Sequence, residues 1–258
     1  MDKVRKILVY VCKDRAAPQR AQFVQSITGH FTDSADDEVE VSCTLEKNQF
    51  ILYKGDRGQR VPLKRPAFCP IKHLPATEAA AIPQDVQQRG VDVGVAIILQ
   101  TANQRVLLTR RAKELRIFPN VWVPPGLTHT DLCLRELHEE TGLKLEPEQV
   151  SPKILGLWEP SLRPSPAEVS ACLWADSRLV RAIVSAVDGE DAEVRLDDLP
   201  DSISVSQVSA DGALTESLMP LAVFISRAPA SGPDVERVST GTKFALELWL
   251  RTLDEPDL

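Results

Sequence analysis

The segment Arg135-Glu136-Leu137-His138-Glu139-Glu140-Thr141-Gly142-Leu143 places three carboxylates on one side of a helix and then ends that helix. Glu136, Glu139 and Glu140 stand at i, i+3 and i+4, so they are neighbours within a turn and a half. Like charges at that spacing repel, at roughly 0.2–0.5 kcal/mol per pair in an isolated helix. A chain that accepts this repulsion either leaves the face in solvent or gives it a cation to hold. Hard divalent ions prefer carboxylate oxygens, and phosphates commonly complete their shell. Arg135 reaches Glu139 at i+4 and reads as an orienting ion-pair partner. Upstream, Thr128-x-x-Asp131 is similar to a capping box, and Gly142 supplies the stop. The spacing therefore predicts a helix over about 130–141, with Leu134, Leu137 and Thr141 turned inward.

Around this segment lies a chain of 258 residues, enough for one large domain or two modest ones. A formal charge of −7 gives no support for broad binding to nucleic acid, DNA included, or to an anionic membrane. A nucleotide-like substrate would have to be held by a local basic patch or by metal. The five cysteines, Cys12, Cys43, Cys69, Cys133 and Cys172, are odd in number and form no C-x-x-C pair, which predicts free thiols in a reducing compartment. The apolar run Ile7–Val11 is too short to span a membrane, and the expected location is the cytoplasm.

Residues 1–65 read as a small β-rich module. Strands are predicted over 4–11 and, as a hairpin, over 40–54, where Val39 to Leu45 alternates and a polar break precedes Phe50-Ile51-Leu52-Tyr53. A short helix is predicted over 21–27. Residues 66–89, rich in proline and alanine, read as a linker. The larger domain, 90–253, opens on an apolar run, Val91 to Leu99, expected as one buried strand in a hairpin with Arg105 to Arg111. Trp122-Val123-Pro124-Pro125-Gly126 forms a rigid loop. Further strands are expected over 154–158 and 169–174, and a helix over 179–187. Residues 188–201 read as an acidic loop, and 235–253 as a closing amphipathic helix.

The nonapeptide follows R-E-U-x-E-E-x-G-U, where U is aliphatic, and it comes after Trp-x-x-Pro-Pro-Gly. Together with Arg89-Gly90-Val91-Asp92-Val93-Gly94-Val95-Ala96, Val106-Leu107-Leu108-Thr109-Arg110-Arg111-Ala112, Leu155-Gly156-Leu157-Trp158-Glu159 and Glu236-Arg237-Val238-Ser239-Thr240-Gly241-Thr242-Lys243-Phe244, the pattern resembles the Nudix hydrolases over nearly the whole chain. That resemblance implies an α+β fold, a Nudix-type α/β/α sandwich behind the N-terminal module. It implies hydrolysis of a nucleoside diphosphate linked to another moiety, with Mg²⁺ or Mn²⁺ as cofactor. One member of the family that the chain resembles implies 7-methylguanosine-capped RNA as substrate, cut within the cap's phosphate bridge. By resemblance Glu136 and Glu140 ligate metal, while Glu139 ligates or acts as base on the attacking water. Glu168, which opens Glu168-Val169-Ser170-Ala171-Cys172-Leu173-Trp174, matches a further metal ligand of the NADH-pyrophosphatase-like members.

Two departures from the family pattern bear on function. The full box, G-x5-E-x7-R-E-U-x-E-E-x-G-U, needs thirteen residues between its Gly and its Arg, whereas only Leu127 to Leu134, eight residues, separate Gly126 from Arg135. The upstream Glu of the box falls on Leu127, which neither binds metal nor pairs with Arg135. The second departure follows Glu159, where Pro160 to Ala167 replaces a long loop and an apolar strand of the sandwich. Two rival readings follow: an inactive Nudix-like module, or a pyrophosphatase acting on NADH or another dinucleotide. Substrate contacts are expected from Arg110, with Arg111 and Lys113 beside it, and from Gly126, which admits close approach of a phosphate. Trp122 either packs the loop or stacks on a base.

Overall fold

The computed structural model describes residues 7–13, 16–22, 26–32, 37–55, 59–66, 74–115, 118–127, 157–158, 169–190, 194, 198–209, 214–229 and 235–254. These form two compact units, Met1–Gly94 with Pro152–Arg163, and Val95–Ser151 with Pro164–Leu258. The predicted helix 130–141, with Arg135, Glu136, Glu139 and Glu140, lies outside the described residues, as does Glu168. No described helix is long and apolar enough to cross a membrane.

In the first unit β1 (Leu8–Cys12), β2 (Gln19–Arg20), α1 (Thr28–Phe31), β3 (Glu38–Glu46), β4 (Gln49–Tyr53) and β5 (Gln59–Lys64) follow one another. The predicted hairpin is β3–β4, paired antiparallel from Ser42↔Tyr53 to Glu46↔Gln49. Alternation decides the faces: Val41 and Cys43, Phe50 and Leu52, Val61 and Leu63, and Val9 and Val11 share one buried cluster. Ile51, Tyr53 and Cys12 point the other way into a smaller one. Among the described cysteines, Cys12, Cys43 and Cys172, there is no disulfide.

Three sequence expectations change here. Residues 21–22 are extended, not helical: Gln19 and Arg20 pair with Val11 and Tyr10, the Ala21 amide donates to Val9 O (2.9 Å), and Gln22 bridges to Gly90. Pairing with β1 overrides the local helix preference, and the helix that does form is the single turn α1. The Pro/Ala-rich stretch carries two short helices, α2 (Ala76–Ala81) and α3 (Gln84–Gln87), tied by Gln87 Nε2 donating to Ile82 O at 2.6 Å. The run 91–99 is divided rather than continuous. Val91 O accepts from Val9 N and Val93 N donates to Ile7 O, both within the first unit, whereas β6 (Val95–Ala96) belongs to the second.

The second unit continues with β7 (Val106–Arg111), β8 (Trp122–Val123) and β9 (Gly126–Leu127). Leu157–Trp158 (β10) returns to the first unit and pairs parallel with β5, giving a sheet ordered β10-β5-β3-β4-β1-β2. Then come β11 (Val169–Ala175), α4 (Ser177–Ser185), β12 (Ser202–Val208), β13 (Leu214–Pro220), α5 (Leu221–Phe224) and α6 (Thr240–Asp254). The larger sheet runs β13-β12-β11-β7-β8, antiparallel throughout, and β6 pairs with β9. Strand β7 is buried on both faces, with Val106 and Leu108 on one and Leu107 and Thr109 on the other, as a central strand of a layered fold requires. Helix α4 is capped by Asp176, whose Oδ1 accepts from the Leu179 amide at 2.9 Å, and it buries Leu179, Val180 and Ile183. Helix α6 contributes Leu246, Trp249 and Leu250 to the same core, with Leu253 packed against it, an i, i+3, i+4, i+7 stripe.

That closing helix begins at Thr240 rather than 235, because Val238 is held extended as a parallel bridge to Trp122. The strand pair β12–β13 was not expected from sequence. It pairs fully from Ser202↔Pro220 to Val208↔Leu214.

Candidate active site

The loop that leads into the carboxylate segment is fixed from three sides. In register, Arg110 faces Trp122 and Thr109 faces Val123 across β7–β8. On the other edge, Trp122 N donates to Arg237 O (2.9 Å) and Ser239 N donates to Trp122 O (3.1 Å). Beyond two prolines, Pro125 O accepts from Ile97 N (2.8 Å), and Gly126 and Leu127 pair with Ala96 and Val95. Residue 127, the last described before the carboxylates, therefore leaves from an anchored strand.

Trp122 is 0% exposed. Its ring packs against Phe224, with centroids 5.3 Å apart, and the Arg110 guanidinium lies over it at 5.9 Å. Of the two roles open in the sequence, the structure supports packing, since a base has no access to the ring. Nor does the phosphate-binding role expected of Arg110 fit its surroundings. Its Nε donates to Ser170 Oγ (2.9 Å), Nη1 to Glu236 Oε1 (3.0 Å) and Nη2 to Gln207 Oε1 (2.7 Å). The guanidinium fork is thus occupied by protein acceptors, and it ties β7, β11, β12 and the segment before α6 together. Arg111 is buried and donates from Nε to Phe118 O (3.1 Å), while Lys113 is exposed beside Glu114. Among the described residues no three His, Cys, Asp or Glu side chains gather as a metal set.

Sequence reasoning missed the ion pair that anchors the base of α6. Lys243 Nζ donates to Asp188 Oδ1 (2.8 Å), Ala186 O (2.7 Å) and Ser226 O (3.0 Å). Asp188 also accepts from Thr240 Oγ1 (2.6 Å) and from the Ala228 amide (2.7 Å). The side chains are 7% and 1% exposed. Burial opposes ionisation of Asp188, but its hydrogen bonds with Lys243 and Thr240, the lysine charge and the Ala228 amide outweigh that and hold its carboxyl below the usual range. Burial pulls the Lys243 ammonium toward losing its proton. Three acceptors, one of them a carboxylate, make the charged pair the form this geometry favours.

Asp188→Ala leaves the lysine charge buried and unpaired, and should cost about 3–5 kcal/mol at neutral pH. A depressed carboxylate pKa gives stability that is complete above the unfolded value near 3.9 and is lost as pH falls through the folded one. The difference in denaturation midpoint between wild type and Asp188→Ala should therefore be full at pH 7 and shrink in acid below about pH 4. A gap that widens in acid would refute the assignment.

The anchored Trp-Val-Pro-Pro-Gly segment precedes the R-E-U-x-E-E-x-G-U sequence and lies beside an antiparallel sheet with helices packed on it. A NUDIX domain profile matches residues 89–211. The chain is 53% identical to the m7GpppN-mRNA hydrolase NUDT17 of Danio rerio, covering 98% of both chains. It is 43% identical to the Xenopus laevis protein of that name, over 97% of this chain and 96% of the other. With the Homo sapiens protein identity is 36%, over 83% of this chain and 78% of the relative. The chain belongs to the Nudix hydrolase family. The alignment with the Danio rerio relative extends over 297 positions, and 297 less the 258 residues here leaves at least 39 at which this chain has no residue. The two short joins in the sequence, at 127–134 and 160–167, fit such gaps.

Proposed function

We propose that this chain hydrolyses 7-methylguanosine-capped RNA within the phosphate bridge of the cap and releases 7-methylguanosine diphosphate, in the cytoplasm. The observation that carries the reading is 53% identity over 98% of the chain to a protein named for that substrate. On this reading the hydrolase domain spans 90–253, behind the β-rich module 1–65 and the stretch 66–89. The donor chemistry suits Mg²⁺ or Mn²⁺, since three carboxylates at i, i+3 and i+4 offer hard oxygens on one face. Glu136 and Glu140 would hold the ion, with Glu168 as a further ligand. Such an ion, when bound, offsets the charge of the phosphate bridge and lowers the pKa of water. Glu139 accepts the proton of the attacking water or adds a ligand, and Arg135 orients it from one turn away. The anchored 122–127 segment, which precedes those carboxylates in the chain, supports this reading.

A second reading, a folded Nudix module without turnover, is favoured by one observation: eight residues stand where the box needs thirteen. Purified protein incubated with capped RNA and with NADH, in Mn²⁺ or EDTA, separates these readings when circular dichroism is recorded on the same sample. Release of 7-methylguanosine diphosphate in Mn²⁺ alone is the expected result. A folded, silent protein would support the second reading, and cleavage of NADH in preference to capped RNA would replace the substrate.

A further inference from the structure

Away from the carboxylate segment, the end of β11 opens into a cavity of about 160 Å³ that no role described so far uses. Its floor is apolar, formed in part by Leu179 of α4 with Leu199 and Ile203, and its rim carries Trp174, Arg105 and Arg178. Trp174 is 38% exposed, while Leu173 and Ala175, which face the other side of the strand, are buried. Arg105 is exposed and meets no carboxylate among the described residues. Arg178 reaches Asp176 at 3.3 Å but keeps 63% of its side chain in solvent. The Asp176 carboxylate, the one acid in the lining, is turned to cap α4 and to Arg178, so its charge is already answered. Trp174, Arg105 and Arg178 thus line one cavity of a chain of net charge −7, with Asp198 and Asp201 next in sequence to its lining residues Leu199 and Pro200.

We infer that this cleft is a subsite for one nucleotide of the RNA that follows the cap, with its base on Trp174 and its phosphates at Arg105 and Arg178. The inference rests on the capped-RNA reading above. An apolar floor, an aromatic wall and a cationic rim match a flat base that carries an anionic backbone, and stacking of that kind tolerates any base. The size agrees. At about 160 Å³ it suits a single base and is well below the roughly 300–1,000 Å³ of a site for a whole ligand. Position agrees as well. Trp174 lies five residues along the strand from Val169, about 17 Å, and Glu168 directly precedes that strand. A base at Trp174 is then too far along the strand to belong to the cap's own phosphate bridge and within reach of the nucleotides that trail it.

Binding is read first without turnover, by fluorescence anisotropy of a 3′-labelled, uncapped ten-nucleotide RNA in EDTA. Trp174→Ala should weaken binding about ten- to a hundredfold, and Trp174→Phe, which keeps a stacking face, should restore most of it. Arg105→Gln should weaken it too and make the dependence of log affinity on log salt shallower by about 0.7. In hydrolysis assays Trp174→Ala should raise KM for a capped ten-nucleotide RNA by about tenfold, while turnover of the bare cap dinucleotide is unchanged. Wild-type affinity in both Trp174→Ala and Arg105→Gln, or no RNA binding by the wild type, would overturn the proposal. If no substrate is hydrolysed but RNA binding still depends on Trp174 and Arg105, the catalytic reading falls and the subsite stands.

Discussion

Glu140→Gln should remove metal-dependent release of 7-methylguanosine diphosphate from capped RNA, with a loss of at least the roughly hundred- to thousandfold that deletion of one electrostatic stabiliser costs. The substitution keeps the shape and helix propensity of the side chain and removes its charge. Any loss therefore reports on the cation and not on folding. A second readout needs no turnover: Mn²⁺ titrated into the protein should bind Glu140→Gln more weakly than wild type. His138→Gln supplies the control, because His138 is two residues from Glu136 and Glu140 and falls off the carboxylate face of the helix that the spacing predicts. Turnover by Glu140→Gln at saturating Mn²⁺, equal to wild type, would end the metal-helix assignment. A solvent-exposed acidic face predicts that equality.

What was legible in the sequence was local. The β3–β4 hairpin showed in the alternation of Val39, Val41 and Cys43 and in the polar break before Phe50. Helix α4 and strands β7 and β11 showed in short apolar runs with clear ends. The carboxylate segment was legible for the same reason, since its whole signal fits within nine residues. The failures have distant causes. Gln19–Arg20 became a strand because β1 offered a partner, and Val235–Ser239 stayed out of α6 because Trp122 supplied hydrogen bonds on both sides of Val238. The roles of Arg110 and Lys243 were hidden likewise: Glu236 is 126 residues from Arg110, and Asp188 is 55 from Lys243. One miss was avoidable. Ser202-Ile203-Ser204-Val205-Ser206 alternates as a strand, and Asp211-Gly212 after it is a hairpin signal.

Restoring the length of the box should raise turnover. Five residues inserted after Gly126, combined with Leu127→Glu, recreate G-x5-E-x7-R-E ahead of the intact R-E-L-H-E-E-T-G-L. The new carboxylate would supply the missing partner for Arg135, and the added loop would return the helix to the spacing its carboxylates were built for. An increase of about a hundredfold is expected if the present join displaces the Glu face by as little as ~1 Å. The cost in stability should be small, because the anchors from Trp122 to Arg237 and Ser239 and from Pro125 to Ile97 precede the insertion, and the first inserted residue takes the place of Leu127 opposite Val95. Loop length itself costs only about 0.6 kcal/mol per doubling. The comparison is kcat/KM on capped RNA for the lengthened and natural chains, with thermal midpoints measured alongside. A folded, lengthened chain that gains nothing would show that the eight-residue join already holds a competent geometry. A gain from a silent start would identify the join as the reason for the silence, with Glu136, Glu139 and Glu140 still able to act once their helix is correctly placed.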